Sequence, residues 1–167
     1  VTSNYGCSDS ISSSVTVLGL PDASFSSTND CAQRNISFVN NSSSSGSPVT
    51  SYQWSFGNGN TSSAFQPSMQ YTSAGNYPVQ LIVSTANGCV DTTSSVLTIY
   101  PLPVANFVAT PSCINGPVTF QNTTSLSGGT IQNYDWSFGD NASSSLFQPT
   151  HSYTSDGSYS ITMIATS

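Results

Sequence analysis

Along much of this chain apolar and polar residues alternate one by one. Tyr77, Val79, Leu81 and Val83 occupy every second position, with Pro78, Gln80 and Ile82 between them. Tyr159, Ile161, Met163 and Ala165 repeat the pattern, and Ile36-Ser37-Phe38 is a shorter instance. A period of two points successive side chains to opposite faces of an extended strand, one face buried and the other wet. Between these runs lie clusters rich in Gly, Asn, Ser and Thr, at 40–47, 57–63 and 72–76, whose backbone preferences suit turns. No window combines helical spacing of apolar residues with caps. Short strands separated by frequent turns predict an all-β chain of antiparallel sandwiches.

The chain also aligns with itself at an offset of 82 residues. Leu20-Pro21 falls on Leu102-Pro103, Phe25 on Phe107, Cys31 on Cys113 and Phe38 on Phe120. Trp54-Ser55-Phe56-Gly57 falls on Trp136-Ser137-Phe138-Gly139, Phe65-Gln66-Pro67 on Phe147-Gln148-Pro149, Tyr71 on Tyr153, Gly75 on Gly157 and Tyr77 on Tyr159. Collinear identity of this kind means two copies of one supersecondary unit. The expected organisation is a leading segment at 1–19, a first module at 20–101 and a second at 102–167.

In each copy a Trp and a Phe stand two apart, so both face the same side of one strand, and the glycine that follows permits a sharp turn. The run Tyr52-Gln53-Trp54-Ser55-Phe56-Gly57-Asn58-Gly59 resembles the W-D-F-G-D-G signature of PKD (polycystic kidney disease) domains, and so does Tyr134-Asp135-Trp136-Ser137-Phe138-Gly139-Asp140-Asn141. The family's downstream P-x-H-x-Y and G-x-Y elements appear as Pro149, His151, Tyr153, Gly157 and Tyr159. In the first copy they are Pro67, Met69, Tyr71, Gly75 and Tyr77. The resemblance implies two tandem immunoglobulin-like sandwiches with Trp54, Phe56, Tyr71, Trp136, Phe138 and Tyr153 as core motif. It also implies a scaffold role, since such modules occur in bacterial surface adhesins, in gliding-associated cell-surface proteins and as spacers in secreted enzymes. A scaffold fold does not by itself supply a function.

The two copies end at different points of the repeat. The first continues past its Tyr77 strand through Asn87-Gly88-Cys89-Val90-Asp91 into a last strand around 96–100, whereas the second stops at Ser167. The missing pattern stands at the other end, where Tyr5-Gly6-Cys7-Ser8-Asp9 and Val15-Thr16-Val17 match 87–91 and Leu97-Thr98-Ile99. The expectation is that 1–19 completes the second module of a neighbouring unit, either by β-augmentation between subunits or within a longer chain of like modules. Both give a heterologous, non-closing contact, the geometry of filaments. The plain alternative leaves that strand dangling.

Four cysteines in a chain rich in Ser and Thr suggest an oxidising compartment, against the alternative of four buried thiols. The repeat phase predicts a Cys31–Cys89 bridge in the first module and, by equivalence, Cys113 bonded to Cys7 of the next unit. Arg34 is the only basic residue apart from one histidine, and the net charge is -6 with a pI near 4.1. Nucleic acid and anionic membranes are therefore poor partners, because phosphate recognition needs clustered Lys and Arg, and neither a nucleic-acid partner nor membrane insertion is expected. No stretch approaches the roughly 20 apolar residues of a membrane helix. Without lysines to guard strand edges, a neighbouring module, a partner chain or glycan must do so.

Asn35, Asn40, Asn41, Asn60, Asn122 and Asn141 sit in N-x-[ST] patterns. Asp9-Ser10-Ile11 and Asp91-Thr92-Thr93 resemble a short O-glycosylation motif of gliding bacteria, which would place glycan on Ser10 and Thr92; the alternative is an ordinary turn. Asp135, Asp140 and Asp156 are calcium-ligand candidates by residue type, but their counterparts are Gln53, Asn58 and Ala74, which favours turn capping. His151 faces Met69 in the repeat, so a structural role is expected of it. No nucleophile–base–orienter set and no metal-ligand spacing is present, so neither catalysis nor a cofactor is expected. The reading favoured by the repeat is a subunit of an extracellular filament or surface adhesin whose partners are copies of itself, with attached glycan or extracellular polysaccharide. The alternative is a carbohydrate- or protein-binding accessory or spacer region of a secreted enzyme.

Overall fold

The computed structural model describes residues 4–167. All regular structure in that range is β. The first module contains β1 (Pro21–Asp22), β2 (Phe25–Ser26), β3 (Asp30–Cys31), β4 (Asn35–Ser37), β5 (Val39–Asn40), β6 (Ser43–Ser44), β7 (Val49–Ser55), β8 (Thr61–Ser62), β9 (Ser68–Gln70), β10 (Gly75–Thr85) and β11 (Val90–Tyr100). The second contains β12 (Phe107–Ala109), β13 (Pro117–Asn122), β14 (Asn133–Ser137), β15 (Ser143–Ser144), β16 (Thr150–Ser152) and β17 (Thr162–Thr166).

In the first module one sheet runs β3-β11-β10-β7-β8, antiparallel except for the β3–β11 edge. The facing layer consists of the short pairs β1–β6, β2–β5 and β4–β9. Alternation places Val79, Leu81 and Val83 of β10 and Leu97 and Ile99 of β11 between the layers, where they pack on Trp54, Phe56, Phe38 and Tyr71. A large apolar side chain taken fully from water stabilises the fold by about 1.5 to 3 kcal/mol, so this cluster sets the module's stability.

The motif residues do the same work in both copies. The Trp54 indole N–H donates to Ala64 O at 2.9 Å, and that of Trp136 to Leu146 O at 2.9 Å. The Tyr71 hydroxyl donates to Phe56 O at 3.0 Å, and that of Tyr153 to Phe138 O at 2.9 Å. Glycine after the motif Phe is required twice over. Gly57 has φ +74°, and a Cβ there would lie 2.8 Å from Pro78; at Gly139, φ +81°, it would lie 2.7 Å from Ser160 O. The turn that follows is closed by Asn58 in one copy and Asp140 in the other, each accepting a backbone N–H two residues on.

The two modules meet base to top. The chain leaves the first at Tyr100, beside Cys31, and enters the second at Pro101, close to Gly128.

Candidate functional site at the open edge of the second module

Each long strand of a sheet needs a ladder partner on both sides or must meet solvent at an edge. Strand β10 has β7 on one side and β11 on the other, the latter in register from Gly75↔Ile99 to Ser84↔Val90. Its counterpart β17 pairs only with β14 among the described residues. The strand expected from Tyr159 onward accordingly begins only at Thr162, because 157–161 correspond to the part of β10 that β11 alone holds.

Loss of that cover opens the core. Ile161 and Tyr153 are half-buried where Val79 and Tyr71 are sealed, and Ile114 is exposed where Ala32 is buried. A concavity of about 750 Å³ follows this edge, lined by Cys113, Ile114, Val118, Phe120, Tyr153 and Ile161 among others. The difference shows in the tyrosines. Burial, and after it Tyr77, pushes the Tyr71 hydroxyl up to about 12; Tyr153 is also raised, by burial first and then by Asp140 and Tyr159.

The leading segment stands in the complementary condition. Ile11, Val15 and Val17 are almost wholly exposed at 99%, 85% and 90%, while their matches Leu97 and Ile99 for the two valines are 3% and 2% exposed. Asp91, two residues after Cys89, accepts the Ala23 N–H at 2.8 Å and so ties β11 to the opposite layer. Backbone hydrogen bonds from Ala23 and then Thr92 hold its carboxyl below the usual value. The match of Asp91 in the leading segment is Asp9, and that of Ala23 is Ala105.

The Cys31–Cys89 bridge expected from the sequence is not formed. Cys31, Cys89 and Cys113 are free thiols, the first two half-buried and the third exposed. The reason is topological. Cys31 lies in register with Tyr100 at one end of β11, and Cys89 precedes its other end. Eleven residues of strand at about 3.3 Å each put them some 36 Å apart, against the roughly 6 Å between Cα atoms that a disulfide spans.

Two of the six candidate N-glycan acceptors are likewise corrected. Asn40 and Asn122 are buried, 7% and 6% exposed, and their carbonyls accept the N–H of Ser42 and Thr124 at 2.9 Å, so their amides lie inside the fold. Asn35, Asn41, Asn60 and Asn141 are exposed, as are Ser10 and Thr92. His151 stacks on Phe138, centroids 4.4 Å apart, with Nε2 2.7 Å from Asp140 Oδ2. That bond, first among its causes, lowers the Asp140 carboxyl. Asp140 thus serves a turn and a ring, and no three His, Cys, Asp or Glu side chains converge among the described residues.

Sequence reasoning missed one exposed feature. Phe65 and Phe147, each 54% exposed, meet Tyr52 and Tyr134 edge-on at 5.2 and 5.3 Å. The signal was their recurrence at matched positions within otherwise polar turns.

Two tandem antiparallel sandwiches with a shared Trp-Phe-Tyr core define an immunoglobulin-like scaffold. The sequence profile of the PKD domain matches residues 20–99 and 101–167, and the chain belongs to that family. The pre-pro-metalloprotease PrtV of Vibrio cholerae is 34% identical over 102 residues, which is 58% of this chain; the chain spans 11% of that protein's length. Among solved structures, the PKD1 domain of Vibrio anguillarum Epp is 36% identical, covering 48% of this chain and 93% of that one, with a TM-score of 0.45. The PKD1 domain of the V. cholerae metalloprotease PrtV is 35% identical, covering 48% and 96%, with a TM-score of 0.46.

Proposed function

We propose that this chain is a non-catalytic, extracellular spacer in which PKD modules are held end to end. The observation that supports it most directly is the base-to-top junction, where Pro101 approaches Gly128 and where Tyr100, Gly128, Gly129 and Thr130 line one shared cavity. A short Pro-bearing link seated between two solid sandwiches limits hinge motion. The kinship with PKD modules of a metalloprotease fits an accessory segment that sets distance rather than performing chemistry. Small-angle scattering tests this reading: one fixed maximum dimension, insensitive to salt, is expected. A broad distribution of module arrangements would sink it. Saturable binding of a polysaccharide, lost on Phe65→Ala and Phe147→Ala, would favour a binding module instead.

The open edge supports a second, more specific reading, in which spacers continue head to tail. In it, residues 4–18 of a second copy lie along β17 as β11 lies along β10, bringing Val15 and Val17 into the concavity beside Phe120 and Ile161. The result is a filament of like sandwiches. Electron microscopy of concentrated material tests it; fibres with a two-module repeat are expected, and a strictly monomeric solution would overturn it.

A further inference from the structure

The cysteines fall at module ends, and the repeat fixes which ends. Cys31 lies at the base of the first module, where Ala32 N donates to Tyr100 O at 2.9 Å. Between that base and the top of the second module is a cavity of about 470 Å³, lined by Cys31, Tyr100, Gly128, Gly129, Thr130 and Ser167 among others. Ser167 is the repeat counterpart of Thr85. In the first module Thr85 N donates to Cys89 O at 2.9 Å and Cys89 N donates to Thr85 Oγ1 at 3.1 Å, so Cys89 sits directly on Thr85. A strand that completes the second module in the register of β11 therefore sets its own cysteine on Ser167, inside the cavity that holds Cys31.

The sequence that carries this pattern is Tyr5-Gly6-Cys7-Ser8-Asp9. Its approach to a module is also repeated. A Cβ on Gly46 would lie 3.3 Å from Gly19 N, and one on Gly128 would lie 3.8 Å from Pro101 Cγ. Gly19 and Pro101 are counterparts, as are Gly46 and Gly128. The chain thus seats on the top of the first module where it seats on the top of the second. A following copy docked in this way places its Cys89 over the base of the second module, where Cys113 lies.

We propose that successive modules are cross-linked at their junctions by disulfides between Cys31 and Cys7 of the next copy, and between Cys113 and Cys89 of the next copy. The inference rests on the head-to-tail reading, with residues 4–18 of that next copy covering the open edge. It replaces both pairings expected from the sequence, because Cys113 and the incoming Cys7 stand as far apart along the completed strand as Cys31 and Cys89. Each bond forms from two thiols, which release two protons and two electrons to a disulfide donor that is itself reduced to a dithiol. The consequence is a lock at the joint rather than a pin through the sandwich: each link restrains the angle between neighbouring modules.

The test is peptide mapping of native material, isolated with free thiols blocked and digested without reduction. Chymotryptic pairs joining Cys7 to Cys31 and Cys89 to Cys113 are expected, each lost on reduction. The chain mass after reduction distinguishes separate copies from copies joined by peptide bonds, and the same pairs are expected in either. A Cys31–Cys89 or Cys7–Cys113 pair overturns the assignment. Assembled fibres whose four thiols are all alkylated would sink the cross-links and leave the head-to-tail reading standing, whereas monomers would sink both. In a Cys31→Ala variant the Cys89–Cys113 pair should persist while Cys7 becomes fully alkylated; Cys7 found paired with any other cysteine would also overturn the proposal.

Discussion

The two modules share a motif, a fold and a hydrogen-bond pattern, yet among the described residues one is sealed and the other is open along a whole strand. In the first, β11 covers β10 end to end, and Val79, Leu81, Val83, Leu97 and Ile99 are all at most 3% exposed. In the second the same face ends at β17, with Met163 at 8% and Ile161 half-buried. The aromatic centre survives the loss, since Phe120, Trp136 and Phe138 remain at 2% or less. The comparison teaches that the W-x-F and Tyr motif builds the core's floor, while the final strand supplies its lid.

The largest effect should come from supplying that lid. A permuted chain running from residue 20 to 167 and continuing into residues 1–18 places Val15 and Val17 where Leu97 and Ile99 stand in the first module. Burying two valines is worth about 3 to 6 kcal/mol before the entropy of ordering the segment. Urea melts followed through the indole resonances of Trp54 and Trp136 report the modules separately. The Trp136 transition should move to markedly higher urea and the Trp54 transition should not. Equal movement of both, or of neither, would refute the assignment of the segment to the open edge.

Next in size is the motif glycine. Gly57→Ala forces a positive φ and drives a methyl group into Pro78, which β11 fixes through Val96. A loss of about 2 to 3 kcal/mol is expected for the first module. Gly139→Ala meets Ser160, whose backbone lies outside any strand, so the chain there can give and the loss should be smaller. A larger loss at Gly139 than at Gly57 would contradict the claim that 157–161 is held loosely.

The tyrosines sharpen the same contrast. Tyr71→Phe strands a buried carbonyl at Phe56 and should cost about 1 to 3 kcal/mol, whereas Tyr153→Phe, at a ring only half-buried, should cost less. The ionisation of Tyr71 gives the sign with pH. Its folded value is raised, so its neutral form is favoured by folding; stability is full below about pH 10 and is lost as pH rises toward about 12. The first module should therefore show the wider alkaline loss, read by the same two resonances, and the permuted chain should bring the second closer to it.

Much of this architecture was legible from the residues alone. Period-two alternation located β10 and β17, and the 82-residue offset gave the tandem organisation because every core aromatic recurs in phase. The Cys31–Cys89 bridge was misread because offset records which positions are equivalent but not how far apart a strand carries them; only the register Tyr100↔Cys31 places Cys31 at the base. The sequons at Asn40 and Asn122 failed for a similar reason. A sequon is a string of three residue types, and both asparagines are drawn inward by turns that their own carbonyls close. The open edge coincides with a pattern absent from the second copy, but the cavity joining Cys31 to Ser167 depends on how two modules seat, which no single repeat encodes.

The smallest expected effect concerns the one position where the motif itself differs. His151 stands where the first module has Met69, and Asp140 stands where it has Asn58. Asn58 does not titrate, so only the second module carries this acid-sensitive contact. A carboxyl whose folded value is depressed adds stability that is present above its ordinary value near 4 and is lost as pH falls through the folded value. His151→Met keeps an apolar body against Phe138 and removes the hydrogen bond to Asp140. At neutral pH the Trp136 transition should hardly move, because the pair is partly exposed and its contribution is screened. Below about pH 4 the variant should lose less stability than the parent chain, while the Trp54 transition, governed by Asp91 and its Ala23 bond, follows the parent. An acid profile of the second module unchanged by His151→Met would mean that the turn, through the Ala142 N–H, and not the ring, sets the behaviour of Asp140.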